Sequence, residues 1–391
     1  MMDGEDLMTV SRAHLDTGLR GIPVGTCRTS FVTPEDGVHY VGYPIEDLVD
    51  LDPMDVIHLL FEKDLPDPEQ SHAFRRNLLS RSTPTEALAQ VIECLPSDAH
   101  PMDVLAVGMQ TMGMGRASGH WKEDALDLVA GMPALIALIL RAHEGRTGPV
   151  PIPDHDQGLV ERFIHMYDPP GDVDRRVMAR IVRAFLVLHM DHGGGNLSTF
   201  TGKAVASGHA TVYASMVAAM NALSGPRHGR ANQSCLEFVQ RIGTDDPVQV
   251  EAFIRGELQA GRPIYGFGHA VLREEDPRAR LQFQIGSELC PDDPNFRIVT
   301  TLREVAPRVL SEIEKISNPH ANVDIASGTL LHYAGFHDAS TYTLFFGWAR
   351  VAGIGAQLVD EATVFRDGKG VAIYRPKYIA DQQSLRRIAD Q

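Results

Sequence analysis

Along most of this chain the apolar residues recur at the three- and four-residue spacing of a helix; only near the start do they alternate. Thr29-Ser-Phe-Val-Thr33 and Val38-His-Tyr-Val41 flank Pro34-Glu-Asp-Gly37, a turn sequence, so a hairpin-sized β element is expected between residues 20 and 45. Helical patterns follow at 53–63, with Val56, Ile57, Leu59, Leu60 and Phe61 apolar, at 84–95 with Thr83 as a cap, at 102–112 and at 124–143. A further helix over 173–191 stops at Gly193-Gly-Gly195.

Asn196 or Ser198 can cap what comes next. The pattern predicts one helix of about 27 residues over 196–223, roughly 40 Å long. It is crowded with Ala, Gly and Ser, which let helix axes approach closely, and it is apolar on more than one face. That places it centrally or at a subunit contact; Lys203, His209 and Asn221 interrupt it too often for a membrane span. Later helices are expected at 234–242, 247–259, 276–289, 296–316 and 344–361, and a short strand at 371–374. The fold class is mainly α with a small β element near the N-terminus.

Composition narrows the function. The 391 residues are 43% hydrophobic, enough for a large core. A net charge of −15 argues against binding nucleic acid or an anionic membrane. Residues 225–282 depart from this, carrying eight Arg, no Lys and eight Asp or Glu. Such a neutral, arginine-only stretch suits either an anion site or a salt-bridged surface. Four cysteines, widely spaced and without C-x-x-C, read as buried or ordinary thiols in a reducing compartment. No apolar run follows the acidic start, so the expectation is a soluble cytoplasmic protein.

Four groups could carry chemistry: His189-Met-Asp-His192; Gly225-Pro-Arg-His-Gly-Arg-Ala-Asn232; Gly266-Phe-Gly-His269 with Arg273 and Arg278 after it; and Asn318-Pro-His-Ala-Asn-Val-Asp324. Singly each is weak. His189 and His192 could share a helical face and hold a metal, but no third or fourth ligand is evident, and no metal is expected. Asp324 could simply cap a helix through Leu330.

Together the groups resemble the citrate synthase family. The resemblance rests on Gly-Pro-x-His-Gly-x-Ala-Asn around His228, Gly-Phe-Gly-His followed by Asp-Pro-Arg around His269 and Arg278, and Asn-Val-Asp-x-x-Ser-Gly around Asp324. His189-Met-Asp-His192 with Asn196, Phe346-Gly-Trp-Ala-Arg350, Tyr374-Arg-Pro-Lys377, His100-Pro-Met-Asp103 and Gly42-Tyr-Pro-Ile-Glu-Asp-Leu48 also match, from about Gly18 to Lys377.

The resemblance implies condensation of acetyl-CoA with oxaloacetate and hydrolysis of citryl-CoA, with no cofactor beyond the CoA substrate. Asp324 would be the base, His228 the donor to the thioester carbonyl, and His269 the donor to the ketone. His192, Arg278, Arg350 and Arg375 would hold oxaloacetate, Arg375 reaching across a homodimer interface. Arg273 and the backbone at Gly266, Phe267 and Gly268 would hold CoA. The family's fold implies a large helical domain (1–226 and 337–391) and a small one (227–336) that closes over the substrates, with 196–223 in the dimer contact. A 2-methylcitrate synthase using propionyl-CoA would need the same residues, and a weakened CoA-binding regulatory relative is the reading from another class.

Overall fold

The computed structural model describes residues 7–82, 86–148, 150–154, 157–269 and 271–379. The expected hairpin is present. Strands β1 (Ser30–Thr33), β2 (Gly37–Tyr40) and β3 (Tyr43–Pro44) form an antiparallel sheet in that order, with Ser30 opposite Tyr40 and Tyr40 opposite Tyr43. The rest of the regular structure is helical.

The first eight helices are α1 (Ile45–Leu48), α2 (Pro53–Glu62), α3 (Pro68–Ser80), α4 (Glu86–Glu93), α5 (Pro101–Gly113), α6 (Trp121–His143), α7 (Leu159–Tyr167) and α8 (Arg175–His189). They are followed by α9 (Leu197–Ala206), α10 (Val212–Leu223), α11 (Ala231–Ile242), α12 (Pro247–Gln259), α13 (Pro277–Leu289), α14 (Pro294–Leu310), α15 (Asp324–Tyr333) and α16 (Tyr342–Thr363).

One dipeptide starts five of these helices. At Asp52-Pro53, Asp67-Pro68, Asp246-Pro247, Asp276-Pro277 and Asp293-Pro294, the carboxylate accepts a backbone N–H of the first turn and the proline takes the first helical position. Proline has no N–H to leave unsatisfied there, and its fixed φ suits the helix. His100 caps α5 in the same way, its Nδ1 accepting the Met102 amide at 3.2 Å ahead of Pro101.

At the centre lies α16, buried on every side from Tyr342 to Glu361, as a core helix must be. It packs against α6, α8, α10 and α2. Helix α6 is the one described helix long and apolar enough to cross a membrane, and it is mostly buried inside the fold. Helices α11 to α15 pack mainly on one another, α11 and α13 each against α15, and α12 against α14.

Three expectations need correction. The single helix over 196–223 is two, α9 and α10, folded back on each other. His209 takes a left-handed φ of 62° in the connection, and Thr211 caps α10 by accepting the Ala214 amide at 3.2 Å. The small residues serve this internal hairpin: Gly202 lies against Ser215 and Ala219. No strand forms at 371–374, where the chain is irregular and the Tyr374 amide donates to Ser207 Oγ. The helix expected to 316 ends at Leu310. The start of the helix at 84, with its cap Thr83, lies outside the described residues. Helix α3 was not anticipated; it buries only Leu78 and so shows almost no apolar stripe.

The Asp-Pro starts make a direct prediction. Asp246→Ala and Asp293→Ala should each destabilise the protein by about 1 kcal/mol. Urea denaturation of each variant reads the loss.

Candidate active site

Two loops carry the chemistry, and the backbone ties them together. The Gly268 amide donates to the His320 carbonyl at 3.0 Å and the Asn322 amide to the Gly266 carbonyl at 2.9 Å, so Phe267 and Ala321 form a bridge. Asn318 Nδ2 donates to the Leu272 carbonyl, Asn322 Nδ2 to that of Gly268, and the Asp276 amide to that of Ala321. Gly266 has a φ of 82°, and a Cβ on it would sit 2.9 Å from Ile325 Cα, so this crossing needs glycine. The seam sets His269 and Asp324 at a fixed separation.

Asp324 is the first residue inside α15, and the N-cap position before it is taken by Val323. Burial pushes its carboxyl up to about 6, against the pull of Arg278 and Arg350, while Asp276 adds to the rise. The cap role considered for it is therefore not the one it plays.

Both arginines are almost fully buried. Arg278 forks onto Asp276, Nε to Oδ1 at 3.0 Å and Nη2 to Oδ2 at 2.7 Å. The sequence Asp-Pro-Arg makes this local: the residue that caps α13 also holds the arginine two positions on. Arg350, from α16, donates Nε to the His189 carbonyl at 3.0 Å and stacks its guanidinium on Phe346, 4.8 Å from the ring centre. Burial lowers it to about 10, so it remains a cation at neutral pH.

The histidines are neutral, and backbone groups select their tautomers. His228 Nε2 accepts the Ser198 amide at 3.2 Å and lies 2.9 Å from the Ser198 hydroxyl; the amide can only donate, which leaves the proton on Nδ1, and burial, then Arg350, drops its pKa to about 4. His269 Nδ1 accepts the amides of Val271 and Leu272 at 3.1 and 3.0 Å, which leaves the proton on Nε2; burial and Arg278 lower its pKa. The rings of His192 and His269 meet edge to face at 5.4 Å, and burial with Arg278 and Arg350 holds His192 well below the usual range. His189 donates Nδ1–H to the Phe185 carbonyl at 2.8 Å and stacks on Phe185, as a packing residue does. Among the described residues no group of three His, Cys, Asp or Glu side chains is arranged to hold a metal.

The structure thus gathers His192, His228, His269, Arg278, Asp324 and Arg350. Gly266, Phe267 and Gly268 run beside them. Arg273 is exposed, its guanidinium on the carbonyls of Val271 and Leu272. Arg375 is not gathered: it lies exposed along a groove shared with Val10, Leu15 and Phe200. His100, from a matching motif, serves as a helix cap. The sequence reading missed Tyr40, Asp276 and Ser198. Tyr40, fully buried on β2, donates to the Val187 carbonyl and accepts the Asp191 amide, locking the His189–His192 turn to the sheet. Asp276 stood in the Asp-Pro-Arg motif unexamined; Tyr40 gave no signal, because alternation alone does not tell a phenol with a task from a core residue.

A family profile described as citrate synthase, C-terminal domain, matches residues 18–377. The chain belongs to the citrate synthase family. It is 34% identical to the peroxisomal citrate synthase of Saccharomyces cerevisiae, covering 92% of this chain and 82% of that protein. It is 31% identical to the mitochondrial 2-methylcitrate synthase of Yarrowia lipolytica, covering 94% and 83%. The solved citrate synthase of Thermotoga maritima matches with a TM-score of 0.80 at 26% identity, covering 95% and 98%. That of Thermoplasma acidophilum, in ternary complex with carboxymethyl coenzyme A and oxaloacetate, matches in fold with a TM-score of 0.83 at 21% identity, covering 96% and 99%. The family's fold and its enzyme class, acyltransferases that convert the acyl group to alkyl on transfer, are therefore this chain's own.

The raised carboxyl gives a stability prediction. Asp324 binds its proton more tightly folded than unfolded, so its charge costs the fold stability above pH 6, and this cost fades as pH falls toward 4. At about 1.4 kcal/mol per unit, Asp324→Asn should stabilise the protein by roughly 3 kcal/mol at pH 8 and about half that at pH 5, measured by urea denaturation.

Proposed function

We propose that this citrate synthase family member condenses acetyl-CoA with oxaloacetate and hydrolyses the citryl thioester, releasing citrate and CoA. The observation that carries this reading is the pair of neutral histidines, each with one nitrogen pinned by backbone amides and the proton left on the other, in the company of a carboxyl near pH 6.

The methyl protons of a thioester are very weakly acidic, so a base alone is insufficient. In this reading Asp324 takes a methyl proton while His228 Nδ1–H hydrogen-bonds the thioester oxygen, which forms a hydrogen-bonded enolate. A cationic imidazole would lose its proton to the enolate too readily; the low pKa of His228 keeps it a hydrogen-bond donor. The enolate carbon then attacks the ketone carbon, and His269 Nε2–H supplies the proton to the new alkoxide. Water cleaves the thioester and CoA leaves as the thiol. Arg278 has Nη1 free of its fork with Asp276, and Arg350 has both Nη groups free of its Nε bond. These and His192 would take the two carboxylates of oxaloacetate. Support comes from the matched motifs and from the ternary complex of the Thermoplasma acidophilum relative.

Two further parts belong to the proposal. Arg375 would complete the site of a second copy in a homodimer, since it stands away from the cluster in its own chain. Residues 227–336 would close as a small domain over the substrates and exclude water from the condensation, with Arg273 and residues 266–268 on CoA. The presence of a 2-methylcitrate synthase among the relatives keeps propionyl-CoA as the second reading.

Thiol release with oxaloacetate and each acyl-CoA decides between them. Acetyl-CoA should give the higher kcat/KM by about 10-fold or more, the range one methylene allows; a higher value for propionyl-CoA would reverse the assignment. With acetyl-CoA, kcat/KM should fall about tenfold per pH unit below 6, as the free enzyme's Asp324 takes up its proton. Asp324→Asn should lose about 100-fold or more of thiol release while still binding CoA.

A further inference from the structure

Beneath the turn that carries His192 lies a buried ion pair that the reaction as described does not use. Lys203 Nζ, on α9, sits 3.1 Å from Glu361 Oε1, on α16, and both side chains are only 5% exposed. A charge pair withdrawn this far from water is weak evidence for stability, because desolvation offsets the attraction, so its placement calls for another account.

The lysine of the pair touches the turn itself, beside Gln357. A Cβ on Gly194 would lie 2.8 Å from Lys203 Nζ and 3.3 Å from Gln357 Oε1, so both head groups press against Gly194. Gln357, one helical turn before Glu361, donates Nε2 to Asp191 Oδ1 at 2.8 Å and to the Gly193 carbonyl at 3.3 Å. Asp191 is fully buried; it accepts the His192 amide at 2.9 Å and a hydrogen bond from Thr29. The other side of the turn is held by Ser30 Oγ, which accepts the Gly193 amide at 2.7 Å, and by Asn196 Nδ2, which donates to the Gly193 carbonyl at 3.0 Å. On its far side Glu361 lies beside the Tyr374 phenol, whose amide is tied to Ser207. Lys203 from α9 and Gln357 from α16 reach the turn from two different helices, and Glu361 holds the Lys203 ammonium. A glycine-rich turn has no side-chain packing of its own to fix it; polar groups from outside must do so.

We propose that Lys203, Glu361 and Gln357 form a positioning unit that holds the His192–Gly195 turn in the conformation that receives the ketoacid. This rests on the reading of oxaloacetate as substrate. The unit touches no reacting atom. It acts through His192, whose ring stands against His269, the donor to the ketone.

The test replaces the pair with apolar residues of similar volume, Lys203→Met with Glu361→Leu, because a single replacement strands a buried charge and can unfold the protein. Gln357→Met, which leaves the pair in place, is the second variant. Thiol release gives kcat and the two KM values, and amide hydrogen exchange reads the turn without any substrate. In both variants the KM for oxaloacetate should rise about ten-fold or more, since misplacing a binding group by about 1 Å costs on the order of 100-fold. The KM for acetyl-CoA should stay within about two-fold, and exchange at residues 192–195 should quicken. Lys203→Arg, which keeps the charge, should retain wild-type values. A merely structural pair would change both KM values alike, or neither, with exchange at the turn unaltered, and either result overturns the proposal. If the wild-type protein released no thiol yet the variants still loosened residues 192–195, the substrate assignment would fall and the positioning role would stand.

Discussion

Burying a carboxylate where two arginines attract it, yet not closely enough to neutralise it, is the constraint on which this site is built. Arg278 is already engaged by Asp276, and Arg350 by the His189 carbonyl and the face of Phe346. Each attracts Asp324 from a distance, and desolvation wins. Had Arg278 forked onto Asp324 instead, the carboxyl would be held low and would make a poor base near neutrality. Asp276 thus does three things at once: it starts α13, it occupies Arg278, and it leaves Asp324 basic. Losing it would strand a buried arginine whose nearest remaining acid is Asp324 itself.

The histidines answer the same pressure in the opposite sense. Burial beside two guanidinium groups makes an imidazolium costly, so His192, His228 and His269 are all held below their ordinary pKa. Neutral imidazoles have two tautomers, and only one of each presents its N–H outward. Backbone amides, which can only donate, make that choice at His269 and, alongside the Ser198 hydroxyl, at His228. The cost of holding such groups dry is borne by the surrounding helices, above all α16 and α8, and by the seam between residues 266–276 and 318–324.

The chemistry was more legible in the sequence than the architecture that places it. His269, Asp324, Arg278 and Arg350 each sit in a short motif whose neighbours help to orient them: the asparagines at 318 and 322, the aspartate at 276, the aromatic ring at 346; His228 also sits in a motif, but Ser198, 30 positions away, orients it. Such motifs are local and survive in one dimension. Helix 196–223 was misread because periodicity cannot see a turn made by His209 in a left-handed conformation, a shape that favours glycine or asparagine. Residues 371–374 have strand composition but no partner to pair with, and β structure is a property of two segments. Helix α3 escaped notice because it is nearly all surface, although its Asp67-Pro68 start announces it as clearly as any stripe would.

The last step concerns α16. Its length would read as core throughout were it not for Arg350, Gln357, Asp360 and Glu361; Asp360 pairs with Lys63, while Arg350, Gln357 and Glu361 recur at intervals of seven and four and so share one side of the helix with Phe346 and Gly353. A polar group in a helix buried all round must find a partner or cost the fold dearly. Here the partners are the His189 carbonyl, Asp191 and Lys203, taken in order along the helix, and all three lie on or under the segment from His189 to Gly195. A polar stripe along an otherwise apolar helix therefore marks the side on which irregular backbone has to be held.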